Sequence, residues 1–368
     1  MSDVLVVGGG IVGLLSAMEL TTRQRSVTII DFPVVSPSAS WAGGGILAPL
    51  YPWRYSDAMT RLTIDSLSRF DSILEAIDPG GALGRRLMNR CGLWVEVAES
   101  EKPYAISWAS HWGLPVKVCS ATDLMHEAAP GDGLFFPSLG NIRNSGLLKA
   151  LREYLIGLGV RFETARVDKI KSHSSGPVSV CASDGRSWTA EQVLVSAGAG
   201  GQALLGSMGL HLPLFPAKGE MLLYQMEPGD VPSVMLTERG YLIPRNDGAV
   251  LVGSTLRKGD NTTYPTVAGR YQLESLAEYL WPVLKSRKPM HHWAGVRPGC
   301  ARDFPYIGRV PGQPGVFTLA GHFRNGLVSG PASAELVVQL MCQETPFTDP
   351  DAYSLLSSSL SSSSFFSR

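Results

Sequence analysis

The sequence predicts an α/β fold in which a discontinuous dinucleotide-binding domain is interrupted by a smaller, mostly antiparallel β domain. Three observations predict it. A strand, a glycine-rich turn and a helix open the chain. Further wholly apolar strands recur in the middle and near the end. Between those pieces lie segments patterned as hairpins.

Residues 4–7 (VLVV) have no polar alternation, as expected of a central parallel strand buried on both faces. Gly8-Gly9-Gly10-Ile11-Val12-Gly13 follows, and residues 14–22 have helix-forming composition. Residues 26–31 read as a second strand ending in Asp31, and 36–45 (SPSASWAGGG) as a small-residue loop. One amphipathic helix is expected over 57–77, with Leu67, Phe70, Leu74 and Ile77 on one face. Strands are expected at 92–97, 160–167 and 193–197, and a helix at 147–158. From Pro213 onward strands dominate: 220–226, 241–244 and, after the turn Asn246-Asp247-Gly248, 249–253. A helix at 267–284, a buried strand at 316–320 and a small-residue helix at 327–342 complete the reading. The nucleotide domain thus takes residues 1–80, 141–210 and 295–350, the second domain 81–140 and 211–294. The serine-rich segment 351–368 is left as a mobile tail.

Composition narrows the function classes. Thirty-two basic residues balance 32 acidic ones, so no cationic excess exists to hold a nucleic acid. Charged residues make up 17% and apolar ones 44%, which suits a large core and not a disordered chain. Five scattered cysteines with no C-x-x-C pair point to reduced thiols in a cytoplasmic protein. Seven histidines form no zinc-type spacing, so no metal is expected. The apolar N-terminus lacks a cationic flank and is broken by glycines, and no run of about 20 apolar residues predicts a membrane span.

Gly8, Gly10 and Gly13 form G-x-G-x-x-G between strand and helix. The first glycine permits the tight turn, the second lets a pyrophosphate approach the backbone, and the third lets the helix pack on the strand. The phosphates then face unpaired N–H groups at the positive end of the helix dipole. Asp31, 18 residues beyond Gly13, is placed to accept from an adenosine ribose hydroxyl. The motif by itself does not separate FAD from NAD. A second match, Gly198-Ala199-Gly200-Gly201-Gln202-Ala203, precedes Pro213 and Pro216 instead of a helix and a second strand; it reads as a turn packed against the first nucleotide.

GGGIVG at the N-terminus, ASWAGGGIL, VSAGAG, WAGVRPG at 293–299, PYIG at 305–308 and GHFRNG at 321–326 together resemble the D-amino acid oxidase superfamily, and within it the glycine-oxidising flavoenzymes of thiamine thiazole synthesis. The resemblance spans about residues 3–350, in order. It implies a glutathione-reductase-like FAD domain with an inserted antiparallel substrate domain, and FAD held without a covalent bond. The implied nucleotide contacts fall on Gly8, Gly10, Ile11, Val12, Gly13, Asp31, Phe32, Ala39, Ser40, Gly44, Gly45, Ile46, Val167 and on His322, Phe323, Arg324, Asn325, Gly326, Leu327 and Val328. Small residues at 42–45 let a flat ring approach the backbone. The helix from Leu327 would aim its N-terminus at a reduced, negatively charged flavin, worth roughly 0.3–2 kcal/mol.

Arg297 stands in an otherwise apolar strand before Pro298. A guanidinium there needs a partner, either a structural carboxylate or that of a substrate. The resemblance assigns it to an amino acid carboxylate, adds Tyr241 to the same carboxylate, and brings Arg324 near flavin and substrate. His322 is given a packing role, since amine oxidation in this family resembles direct hydride transfer to flavin N5. The implied reaction takes glycine, and in reach of it sarcosine and small D-amino acids, to a 2-oxo acid, ammonia and hydrogen peroxide. A quinone-linked D-amino acid dehydrogenase of the same fold stays open, as does a tRNA-modifying flavin enzyme, which the balanced charge suits poorly. A dimer or tetramer is what the resemblance suggests. Cys300 is read as a free thiol, and Tyr51 to Tyr55 as either a cover of the site or packing.

Overall fold

In the computed structural model, residues 2–32, 38–124, 128, 131–173 and 176–356 are described. Strands Val4–Val7, Val27–Asp31, Arg161–Thr164, Gln192–Val195 and Val316–Ala320 pair in parallel, and Tyr306–Arg309 joins antiparallel at one edge. Val4–Val7 lies between Gln192–Val195 and Val27–Asp31, with Val4 opposite both Gln192 and Val27. These central strands are apolar on both sides because both faces are covered: one by helices, the other by a small three-stranded sheet and the helix Gly201–Ser207, where Leu5, Val7 and Val195 pack with Val178, Val180 and Leu205. The helices Ile11–Thr22, Asn144–Gly157 and Gly330–Met341 close one face in a single aliphatic core with Val4, Val6, Ile29 and Leu319.

The second sheet, mostly antiparallel, holds nine strands among the described residues. Its long strands Leu214–Gln225 and His291–Cys300 run side by side from Leu214↔Cys300 to Leu223↔His291. Ala249–Gly253, Gly240–Pro244 and Val234–Thr237 extend it, and Leu93–Glu96 continues it in parallel. Helix Val267–Leu280 packs on one face, burying Leu273, Leu276, Ala277 and Leu280 against Leu222, Leu242 and Val252. A third, three-stranded sheet, Val167–Lys171, Val178–Ala182 and Ser187–Ala190, was not foreseen.

Several boundaries depart from expectation, each for a local reason. The helix expected over 57–77 is two, Asp57–Thr63 and Ser66–Ile77, because Asp65 leaves the helical path and its carbonyl starts the second one through Arg69 N–H. The helix expected to 284 stops at Leu280: Trp281 precedes Pro282 and is forced extended (φ −143°, ψ 90°). The helix expected from 327 begins at Gly330, where Pro331 suits a first turn. The strand expected over 160–167 breaks at Ala165, whose N–H bonds Asp31 O, and Val167 opens the third sheet instead. Leu214–Gln225 starts six residues earlier than expected because Pro216 faces Pro298, and two facing prolines ask no ladder bond of each other. The nucleotide domain's third segment cannot start at 295, since the antiparallel strand continues to Cys300. Nor does the tail start at 351: Tyr353 is fully buried and donates to Ala58 O at 2.7 Å. Residues 36 and 37 of the small-residue loop and 357–368 of the tail lie outside the described residues.

Candidate active site

The turns after three of the parallel strands meet, Gly8 and Gly9 lying against Ser196 and Asp31, at the strand ends where open α/β sheets bind their ligands. Gly8 takes φ +114°, and a Cβ there would lie 2.5 Å from Ser196 O. At Gly13 a Cβ would lie 2.0 Å from Gly8 O, so the helix Ile11–Thr22 can seat itself on the strand only without a side chain. Gly10 differs: its missing Cβ would meet only Ser40 Oγ, at 3.2 Å. That hydroxyl accepts from Ile11 N–H at 3.0 Å and ties the 39–42 helix to the turn. Ser196 Oγ donates toward Val7 O and Gly8 O, so the second glycine cluster packs on the first. It continues into the helix Gly201–Ser207 and then into the antiparallel sheet, without a second βαβ unit.

Three features fit a dinucleotide here. Asp31 presents its carboxylate to the turn, 2.8 Å from where a Gly9 Cβ would be, and no described group donates to it. Phe32 beside it is half exposed. The N-terminus of helix Gly330–Met341 lies against the start of the first helix, since a Cβ on Gly330 would touch Leu15 and Val12. Two positive helix ends therefore converge where a pyrophosphate would sit. Finally, His322 Nε2 is buried with no hydrogen-bond partner among the described residues. Burial pushes the pKa of this imidazole down to about 4, so it is neutral, and an orphaned nitrogen in such a place suits an absent polar ligand. Gly321 (φ +76°) and Phe323 (φ +49°) turn the segment, and Phe323 N–H donates to Pro298 O at 2.8 Å, tying GHFRNG to the strand that carries Arg297. Val328 is buried, and Gly326 and Leu327 are half-buried ahead of the helix. Val167 is half-buried two residues past Ala165, which bonds Asp31.

The other wall is the antiparallel sheet. Arg297 donates from Nη2 to Ser254 Oγ at 2.8 Å and from Nη1 toward Thr255 O at 3.4 Å. No carboxylate of a described residue pairs with it. Burial lowers its pKa, the nearby Arg324 adds to that, and the Tyr241 hydroxyl opposes them. The guanidinium rests on bare backbone: a Cβ at Gly219 would lie 2.0 Å from its Nη1. Tyr241 is buried, its ring edge 3.2 Å from where a Gly44 Cβ would be and 2.9 Å from that of Gly253. Ile46 is buried in the cluster that includes Tyr241 and Met221. Arg324 is exposed, yet near enough to Arg297 for its charge to act on that guanidinium. Tyr241 thus links Arg297 to the strip Gly44–Gly45, with the exposed Arg324 near the guanidinium.

Sequence reasoning missed Gly219, whose only signal was a glycine inside a strand. It also missed Arg245. This guanidinium is buried, its pKa pushed down to about 9 by that burial, and it donates to Gly44 O at 2.8 Å and to Asn141. It holds the 44–45 backbone in place, with Gly45 at φ +77° over Ile142 O. Asn144 grips the same loop through Trp41 O at 3.0 Å. The segment Tyr51 to Tyr55 is packing and ion pairing in large part: Trp53 is buried and donates to Glu101, and Arg54 bridges Glu101 and Glu238. Tyr51, at φ +56°, keeps a buried hydroxyl with no partner among the described residues. Cys300 Sγ lies 2.9 Å from the carbonyls of Arg302 and Gly321, and burial pushes its pKa up to about 11, so the thiol stays protonated and unreactive.

Residues 3–340 match the family described as FAD dependent oxidoreductase, DAO. The glycine oxidase of Pseudomonas putida is 35% identical over 95% of this chain and 97% of its own length. The bifunctional protein ThiO/ThiG of Synechocystis is 29% identical over 93% of this chain and 52% of its own. The crystal structure of glycine oxidase from Geobacillus kaustophilus matches with a TM-score of 0.89 at 25% identity, covering 96% of this chain and 98% of that one.

Proposed function

Because the chain belongs to the DAO family of FAD-dependent oxidoreductases, and is an FAD-dependent amino acid oxidase, we propose that it deaminates glycine to glyoxylate, ammonia and hydrogen peroxide in the service of thiamine thiazole synthesis. The observation that carries the reading is the Arg297 guanidinium, which no carboxylate of a described residue pairs with, set beside Tyr241 and lying over the bare backbone of Gly219. An uncompensated buried charge costs several kcal/mol, and a substrate carboxylate removes that cost.

When bound, FAD supplies the two-electron oxidation of the substrate's Cα–N bond. The glycine turn at 8–13, Asp31 with Phe32, residues 39–46, Val167 and residues 322–328 would hold it. Arg297 takes the carboxylate through charge-assisted bonds, and Tyr241 donates a further one. Their fixed placement turns the substrate's Cα toward the Gly44–Gly45 backbone, so positioning is the chief contribution of the chain. Arg324 draws the anion to the mouth. His322, made a weak base by burial, takes no substrate proton and would contact the cofactor. Sarcosine and small D-amino acids share the carboxylate and amine that this clamp reads, and one methyl group changes affinity by only about 1–3 kcal/mol.

The FAD-loaded protein releases peroxide with glycine in this reading, at one peroxide per glyoxylate. A flavin that stays oxidised under anaerobic glycine would refute it. The five unpaired cysteines fit a reducing, cytoplasmic setting, and among the described residues no helix is long and apolar enough to cross a membrane. Gel filtration of the holoenzyme reads whether it is the homo-oligomer expected.

A further inference from the structure

Directly behind Arg297, on the other face of the same two strands, lies a buried ionic network that the substrate clamp does not use. Lys218 and Glu220 flank Gly219 and are 1% and 0% exposed. Successive residues of a strand face opposite ways, so Gly219 supports the guanidinium while its two neighbours point toward helix Val267–Leu280. The Glu220 carboxylate accepts from His292 Nε2, Thr266 N–H and Thr266 Oγ1, each at 2.9 Å. Lys218 Nζ stands 3.6 Å from it and donates to Thr262 Oγ1 at 3.0 Å. A Cβ on Gly269 would come within 2.2 Å of Glu220 Oε2, so the helix's first turn closes on the charge. Thr266 caps that helix through Gly269 N–H.

The backbone of Glu220 is engaged as well. Its N–H donates to Thr255 Oγ1 at 2.9 Å, and its carbonyl accepts from Thr255 N–H at 3.3 Å. One residue therefore holds both ends of segment 255–266: the start by main chain, the end by carboxylate. The start of that segment, with Ser254, supplies the acceptors of the Arg297 guanidinium.

We propose that Glu220 is a positioning residue for the carboxylate clamp: with Lys218 and His292 it locks segment 254–266 to the strand beneath Arg297, and so sets how tightly the substrate's acid group is held. The inference rests on the reading of Arg297 given above. A network that served stability alone would alter melting and leave carboxylate affinity as it was. One that positions the clamp would weaken carboxylate binding without touching FAD retention or turnover at saturation.

The test uses the FAD-loaded enzyme and acetate, which is glycine without its amine and cannot be deaminated, titrated by the change in flavin absorbance. Glu220→Gln keeps the shape and one acceptor but removes the charge. It is expected to weaken acetate and raise the KM for glycine about tenfold, with kcat within twofold and FAD retention unchanged. Thr255→Val, which removes only the hydroxyl that takes the Glu220 amide, is expected to weaken acetate about threefold, and it decides the matter if Glu220→Gln does not fold. Arg297→Met runs beside them. If it abolishes acetate binding while the other two bind acetate within twofold of the unaltered enzyme, the network is structural and the proposal is overturned. If Arg297→Met binds acetate normally, the clamp reading itself falls.

Discussion

The two walls of the crevice are built by opposite means. At the parallel-sheet wall the working groups of the proposed site are mostly backbone, a glycine turn and two helix ends, joined by one side chain, the Asp31 carboxylate. At the antiparallel wall they are side chains, Arg297 and Tyr241, and glycines serve only as the surface on which those side chains rest. The first wall is specified by what is missing at fixed positions of one short segment. The second depends on strands far apart in the chain meeting in register, Ala217 opposite Arg297 and Tyr241 opposite Gly253. Damage should differ accordingly. Lesions in the first wall cost the cofactor, and lesions in the second cost the substrate.

The largest expected effect is at the substrate wall. Arg297→Met should lower kcat/KM for glycine by roughly a hundredfold or more, since truncating one partner of a buried charge pair costs about 2–5 kcal/mol. FAD content, read from the visible spectrum of the purified protein, should not change; loss of flavin would merge the two walls. Gly13→Ala tests the other wall. Its Cβ would meet Gly8 O at 2.0 Å, and backbone cannot yield as a side chain can. The protein should purify with little FAD, and added FAD should bind about a hundredfold more weakly by fluorescence quenching.

Gly219→Ala sharpens the contrast, because the same kind of substitution meets the movable end of Arg297. It should raise the KM for glycine about tenfold with FAD affinity intact. Tyr241→Phe removes one hydrogen bond to the charged carboxylate, worth about 1.5 kcal/mol or more, and should raise KM about tenfold in steady-state peroxide assays. A separate effect is in stability, not in substrate or cofactor binding. His322, with its pKa pushed from 6.5 to about 4 by burial, binds a proton unfolded before it does so folded. Stability should therefore fall as pH drops from about 6.5 to 4, by up to about 3 kcal/mol. In His322→Asn that part of the slope should vanish in urea titrations across that range.

The glycine turn, its flanking strand and helix, and Asp31 were legible because each is a local requirement: positive φ, close approach, or a charge at a strand end. Arg297 stood out for a similar reason, as a lone cation in the apolar stretch Trp293 to Val296. Gly219, Arg245 and the Lys218–Glu220–His292 network were not legible. Their meaning lies in contacts across 78 positions (219 to 297), 201 positions (44 to 245) and 72 positions (220 to 292), which no periodicity encodes. The prolines misled in both directions. Pro282 ended a helix early, while Pro216 did not prevent a strand, because its partner Pro298 also lacks an N–H to pair.

By itself, the order of residues determined the α/β class and the nucleotide turn, and it singled out Arg297 as a cation in need of a partner, since steric and charge rules act over a few residues. Only the tertiary structure decided which backbone lies under Arg297, what holds the glycine strip at 44–45, and that no carboxylate of the described residues reaches the guanidinium. Those are facts about distance between remote segments, and distance is fixed by packing.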